Sequence, residues 1–233
     1  IHRMVDVAGN YQKILDRIGE TAGKCGRRAQ EIKVLGAAKS QSVESVRAAI
    51  AAGVSLIGEN YVQEAQEKKA QILQSVEWHM IGHLQRNKAK AAAELFDLIE
   101  TLDSVALARE LEKQGKRIGK KIRALVEVNL AGEESKSGIA KDDLASLLEA
   151  VAKLDHVAVE GLMTVPPFRE EPEESRPYFR ELRKLKDKFN AQRIPHVDLQ
   201  ELSMGMTHDY PVAIEEGATI VRIGTALFGP RKA

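Results

Sequence analysis

The chain has 233 residues, 43% of them hydrophobic and 30% charged, with 35 Lys+Arg against 34 Asp+Glu. That is enough to bury a full core, and α/β barrels of this size often form one domain. The charge balance excludes the strongly basic surface of a nucleic-acid binder and the composition of a disordered chain, and a single cysteine, Cys25, excludes an intrachain disulfide or a cysteine metal cluster.

Ile1–Arg3 precede Met4 and read as a remnant of cloning, which leaves residues 4–233 as one expected domain. The first element is a helix over roughly 6–29. Eight strand-like runs follow: "IKVLGAA", "VSLIG", "VEWHMIG", "FDLIET", "KIRALVEVNL", "VAVEGLMTV", "HVDLQELSM" and "ATIVRIG". Helical periods lie between them: Val43, Val46 and Ile50, then Leu144, Leu147, Leu148, Val151 and Leu154, then Tyr178, Leu182, Leu185 and Phe189. Gly53, Gly115 and Gly217 stand where helices should stop before a strand. The basic run "KQGKRIGKK" reads as a solvated helix end favoured by the helix dipole. The stretch 166–177, "PPFREEPEESRP", reads as one long polar loop. No run approaches the apolar length of a membrane span and none resembles a signal peptide, so a cytoplasmic protein with no membrane partner is expected. A monomer is expected.

Parallel strands need crossover helices, so strict alternation predicts βαβ units. Eight of them in this length predict a single (β/α)8 TIM barrel with an extra N-terminal helix. In such a barrel the functional groups sit at the C-terminal strand ends, with phosphate held by the loops after the last two strands. Those two loops are "SMGMT" and "IGT". Ser203 and Thr225 offer hydroxyls, Gly205 and Gly224 allow close backbone approach, and Thr207 is a plausible N-cap for the next helix. Each alone is an ordinary loop, but the pair in these positions favours a phosphate site. Period-two alternation in "TIVRIG" puts Arg222 on the same face as Gly224, looking into the barrel mouth. A buried guanidinium needs a partner, either a neighbouring strand's carboxylate or a ligand acceptor. Lys39 ends the first strand, which neighbours the last when a barrel closes. A lysine in a partly desolvated mouth can form a Schiff base. Anchor, arginine and imine-forming lysine together describe a site for pyridoxal 5′-phosphate.

From about residue 6 to 231 the chain resembles the YggS/PROSC family of pyridoxal phosphate homeostasis proteins. The resemblance lies in "VLGAAKSQ", "IGENYVQEA", "EWHMIGHLQRNK", "NLAGEESKSGI", "VEGLMTVPP" and "ELSMGMTHDYPVAIEEGATIVRIGTALFG". It implies a fold like the N-terminal barrel of alanine racemase (fold type III), without the racemase C-terminal β-domain. It implies that Lys39 carries the cofactor as an internal aldimine. Ser203, the backbone of Met204 and Gly205, Gly224 and Thr225 would cup the phosphate, and Arg222 would face the pyridine nitrogen. Asn60 and Met163 would lie near the ring. One departure is local: the family often reads "SKTKP" at the lysine, whereas "AKSQS" stands here, and Ser42 with Glu44 can begin the next helix in place of the proline.

An always-charged arginine opposite the pyridine nitrogen leaves the ring a weak electron sink. A racemase also needs two bases, one on each face of the substrate carbon, and the expected architecture has no second domain to supply one. A non-catalytic binder that transfers the cofactor to apo-enzymes in vitamin B6 homeostasis is therefore expected. The alternatives are an amino-acid racemase or decarboxylase of the same barrel type, in which Lys39 would serve, and a barrel aldolase, which leaves Arg222 unexplained. His79 reads as a hydrogen-bonded structural histidine and Trp78 as core. His83 and His208 lie in strand-end loops without metal-ligand spacing, and Lys136 is a rival lysine that could contact a ligand or partner.

Overall fold

A computed structural model describes residues 5–230; the cloning remnant expected at 1–3 lies outside them. Helix α1 (Val7–Lys24) starts where the Asp6 carboxylate accepts the Gly9 N–H at 2.9 Å. It is shorter than the expected 6–29 because the chain turns at Gly26, at φ 72°. Eight strands occupy the eight expected runs: β1 (Lys33–Ala37), β2 (Leu56–Glu59), β3 (Glu77–Met80), β4 (Leu98–Leu102), β5 (Ile122–Asn129), β7 (Val157–Met163), β8 (Val197–Ser203) and β9 (Ile220–Ile223). A two-residue strand, β6 (Ile139–Ala140), adds to the outer end of β5 at Val128 and Asn129.

All these pairings are parallel, in the order β4-β3-β2-β1-β9-β8-β7-β5, and β4 also pairs with β5. That last pairing closes a (β/α)8 TIM barrel. Around it run α2 (Val43–Ala52), α3 (Val62–Gln71), α4 (Ala89–Leu95), α5 (Val105–Ile118), α6 (Leu144–Val151), α7 (Arg176–Asn190), α8 (Tyr210–Glu215) and α9 (Thr225–Phe228). Helix α1 is the additional one, packed on α2, α8 and α9, with Asn10 Nδ2 donating to Leu227 O at 3.0 Å.

Alternation along each strand separates two cores. Leu35, Leu56, Leu98, Leu125, Met163 and Ile220 fill the barrel interior, while their strand neighbours join the larger shell core under the helices, Trp78 among them. Three local expectations change. Helix α5 runs through Gly115, where a Cβ would lie 2.7 Å from Lys120 O, and stops instead at Gly119, at φ 64°. In α7 it is Phe179, not Tyr178, that is fully buried one turn before Leu182. Stretch 166–177 is not loop throughout: a 3-10 turn covers Pro172–Ser175 and α7 starts at Arg176.

Candidate functional site

Five neighbouring strands, β2, β1, β9, β8 and β7, carry the residues expected to bind the cofactor, all of them at or near the C-terminal ends. Register brings them together. Leu35 pairs with Arg222 and Gly36 with Ile223, so the ends of β1 and β9 emerge side by side. A Cβ built on Gly224 would meet Ala37 O at 3.8 Å, ordinary van der Waals contact, so the end of β9 lies directly against the lip of β1. Lys39 is half-buried just past that lip, its Nζ 5.5 Å from the centroid of the Tyr61 ring. Asn60 follows β2, the next strand over. Beyond Lys39 the chain turns through Ser40 at φ 61°, and Ser42 begins α2 by accepting the Ser45 N–H at 3.1 Å. Glu44 sits in the first turn of that helix, beside the positive end of its dipole.

The two glycine loops also meet. Gly205 O accepts the Arg222 N–H at 2.9 Å, and Thr207 Oγ1 accepts the Ala226 N–H at 3.2 Å, tying the β8 loop to the start of α9. Thr207 is therefore not the N-cap of α8; Asp209 holds that position, and its carboxylate accepts the Met206 N–H at 2.9 Å. Gly205, at φ 93°, lies where a Cβ would be 2.6 Å from Ala213 Cβ, so only glycine lets α8 approach this closely.

Below the lip a line of buried polar side chains crosses the otherwise apolar interior. Arg222 is 4% exposed; its two terminal nitrogens donate to Ser203 Oγ and Thr164 O, both at 2.8 Å. Ser203 Oγ in turn donates to Glu100 Oε2, and Glu100 Oε1 is 2.8 Å from His79 Nδ1. His79 Nε2 reaches Glu77 Oε1 at 3.2 Å. Burial opposes a charge on His79, but the two carboxylates outweigh it and raise its pKa to about 9, so both ring N–H groups donate. Burial likewise opposes the charge on Glu100, which His79 and Arg222 nonetheless hold below the usual carboxylate range. The neighbouring carboxylate on β5, Glu127, has a buried Oε2 with no partner; burial and the nearby Asp103 raise it to about 7.

Ser203, Met204 and Met163 are all sealed, at 0%, 0% and 1% exposure. Met163 belongs to the apolar barrel interior beneath the mouth, the Met204 N–H already donates to Ile220 O at 3.1 Å, and the Ser203 hydroxyl is committed to Arg222 and Glu100. Open approach is therefore left to Lys39, Asn60, Gly224 and Thr225. These suit a cofactor with one aldehyde and one phosphate. An amine stands at the rim, glycine backbone stands where a phosphate needs donors, and Arg222 keeps further N–H groups beyond those already used. A cleft of about 1050 Å³ lies to one side, between the start of α3 and residues 82–91; of the residues singled out from sequence it includes Asn60 and His83. His83 and His208 stand apart at the rim, near Asp103 and Glu170 O respectively, and Lys136 pairs with Glu133 at 3.1 Å. Glu100, Glu127 and Glu59 escaped sequence reasoning. The signal for Glu100 was a lone carboxylate alternating with Leu98 inside an apolar run.

The closed barrel agrees with the family model for the alanine racemase N-terminal domain, which matches residues 15–232. A pyridoxal phosphate homeostasis protein of Aquifex aeolicus is 46% identical over 221 residues, covering 94% of this chain and 96% of its own. PipY of Synechococcus elongatus, solved with pyridoxal phosphate bound, superposes with a TM-score of 0.81 at 35% identity, covering 91% of this chain and all of its own. An alanine racemase of Clostridium difficile, at 16% identity and a TM-score of 0.74, shares the fold over 97% of this chain but only 58% of its own. The chain thus belongs to the alanine racemase N-terminal domain family and, within it, to the pyridoxal phosphate homeostasis proteins.

Proposed function

We propose that the protein binds pyridoxal 5′-phosphate covalently through Lys39 and acts in intracellular cofactor homeostasis, holding the cofactor and passing it to apo-enzymes without robust catalysis. The observation that carries this reading is the pairing of β1 with β9, which brings the lysine end of one strand beside the Arg222–Gly224–Thr225 end of the other. It is supported by the bound pyridoxal phosphate of PipY. In this reading Lys39 would supply the amine that condenses with the cofactor's aldehyde. Gly224 and Thr225, at the open end of β9, would hold the phosphate with the backbone of Gly205 beside them, while the Met204 N–H expected to join them is already given to Ile220 O. Arg222 faces the pyridine nitrogen, steadied by Ser203. Asn60 lies beside the ring and Met163 forms an apolar floor. Residues 4–233 act as one monomeric domain in the cytoplasm, a setting supported by the single Cys25.

Incubating the protein with pyridoxal 5′-phosphate should produce the visible absorbance band of a Schiff base, and Lys39→Ala should lack it. A wild-type protein that never develops the band sinks the reading. One observation favours a second reading, an amino-acid racemase or decarboxylase: Glu127 is a buried carboxyl with an unpartnered oxygen, poised to hold a proton near neutrality. Cα-proton exchange of amino acids in deuterated water, at enzyme-like rates and lost in Lys39→Ala, would favour that alternative.

A further inference from the structure

The Lys39 ammonium lies 5.5 Å from the centroid of the Tyr61 ring, and the backbone on both sides of Lys39 is tied down from one helix. Lys68 of α3 is buried, its side chain 8% exposed, and its ammonium donates to Ala38 O at 2.6 Å and to Glu59 Oε1 at 2.7 Å. One turn earlier Glu64 lies 3.3 Å from that ammonium, and the same Glu64 oxygen accepts the Ser40 N–H at 3.1 Å. Residues 38 and 40 are therefore both held by an i,i+4 pair on α3, with Lys39 between them. Gln41 N–H closes the turn on Ala38 O at 3.0 Å, and Ser40 sits in the left-handed region at φ 61°, which a serine adopts only when its surroundings hold it there. Glu59, fully buried at the end of β2, accepts one of the Lys68 N–H groups, so that with Ala38 O and Glu64 the donors of the buried lysine are met.

We infer that Lys68 and Glu64, backed by Glu59, are positioning residues that preset the turn carrying Lys39, so that the amine is presented to the cofactor aldehyde before the cofactor arrives. This rests on the reading of Lys39 as the cofactor-binding amine. The turn contains no proline, and the clamp supplies the rigidity that a fixed φ would have given. Glu64 serves two functions: it faces the Lys68 ammonium and it holds the Ser40 N–H. A solvated surface pair would not do both.

The decisive variant is Glu64→Ala, because Glu64 is partly exposed and its removal leaves the core intact. Glu64→Gln keeps an acceptor for the Ser40 N–H, and Lys68→Met removes the ammonium from the other side. Schiff-base formation with pyridoxal 5′-phosphate should slow about tenfold or more in Glu64→Ala and Lys68→Met, while Glu64→Gln stays within about threefold of the wild type. Hydrogen exchange at the Ser40 amide, measured on cofactor-free protein, should accelerate in Glu64→Ala and stay protected in Glu64→Gln. If Glu64→Ala opens the Ser40 amide but forms the Schiff base at the wild-type rate, the clamp does not position Lys39. A slowing that merely follows the fraction of unfolded protein overturns the inference equally. The failure of the underlying reading looks different: it appears in the wild type, as a band that never forms.

Discussion

Ser203 was expected to contact phosphate, yet its hydroxyl is the link between Arg222 and Glu100 in the buried line that ends at His79 and Glu77. Ser203→Ala would leave an arginine N–H and a carboxylate oxygen without a partner in the interior. It should therefore lower unfolding free energy by about 1–3 kcal/mol, measured by urea denaturation of cofactor-free protein. Cofactor uptake should weaken as a secondary effect, because Arg222 loses the bond that fixes its plane. The type of each residue here was legible, and its role was not. Alternation along "TIVRIG" correctly put Arg222 inside the barrel. What it could not supply was the partner: Glu100 is more than a hundred residues away in sequence and reaches Ser203 only across the closed barrel. Lys68 escaped for the same reason, since an i,i+4 Glu–Lys pair on a helix ordinarily reads as a solvated face.

Among elements, the eight strands were legible because each combines a compact apolar run with a turn signal, and parallel strands buried on both faces have little else to show. Helix ends were less so. Gly115 looked like a stop, but it is a contact glycine on the buried side of α5, and the left-handed cap falls at Gly119. Both roles require glycine, one for space and the other for backbone angle, so composition alone cannot tell them apart. Gly205 combines the two. Its φ of 93° and the 2.6 Å approach to Ala213 predict that Gly205→Ala strains the turn and pushes α8 outward. A loss of about 1–3 kcal/mol in stability is expected, with weaker binding of pyridoxal 5′-phosphate in an absorbance titration. Unchanged affinity would remove this loop from the phosphate site.

For the whole molecule, buried titratable groups set the pH dependence of stability. Burial raises Glu59 and Glu127 from 4.5 to about 7, so the folded state holds protons that the unfolded chain has released. That contribution is complete below the unfolded value and is lost as pH rises toward 7. His79, opposed by burial but raised to about 9 by its carboxylates, adds a loss of the same sign from 6.5 upward. Glu77 works in the opposite direction. Held near 2 by His79 and Arg123 against the effect of burial, it contributes stability that disappears as pH falls below 4.5. Cofactor-free protein should therefore have a higher urea midpoint at about pH 5 than at about pH 8, and Glu127→Gln should flatten the part of the slope between them that lies below 7. A midpoint that rises steadily to pH 8 would contradict this.

The pairing of Lys33–Gly36 with Ile220–Ile223 has a consequence in time as well as in space. Lys39 is synthesised well before Arg222, Gly224 and Thr225. On the proposed function, a nascent chain would carry the amine long before it carries the loop that holds the phosphate. The seam between β1 and β9 would then make cofactor binding wait for β9, and a chain stopped before Arg222 would expose an ordinary lysine.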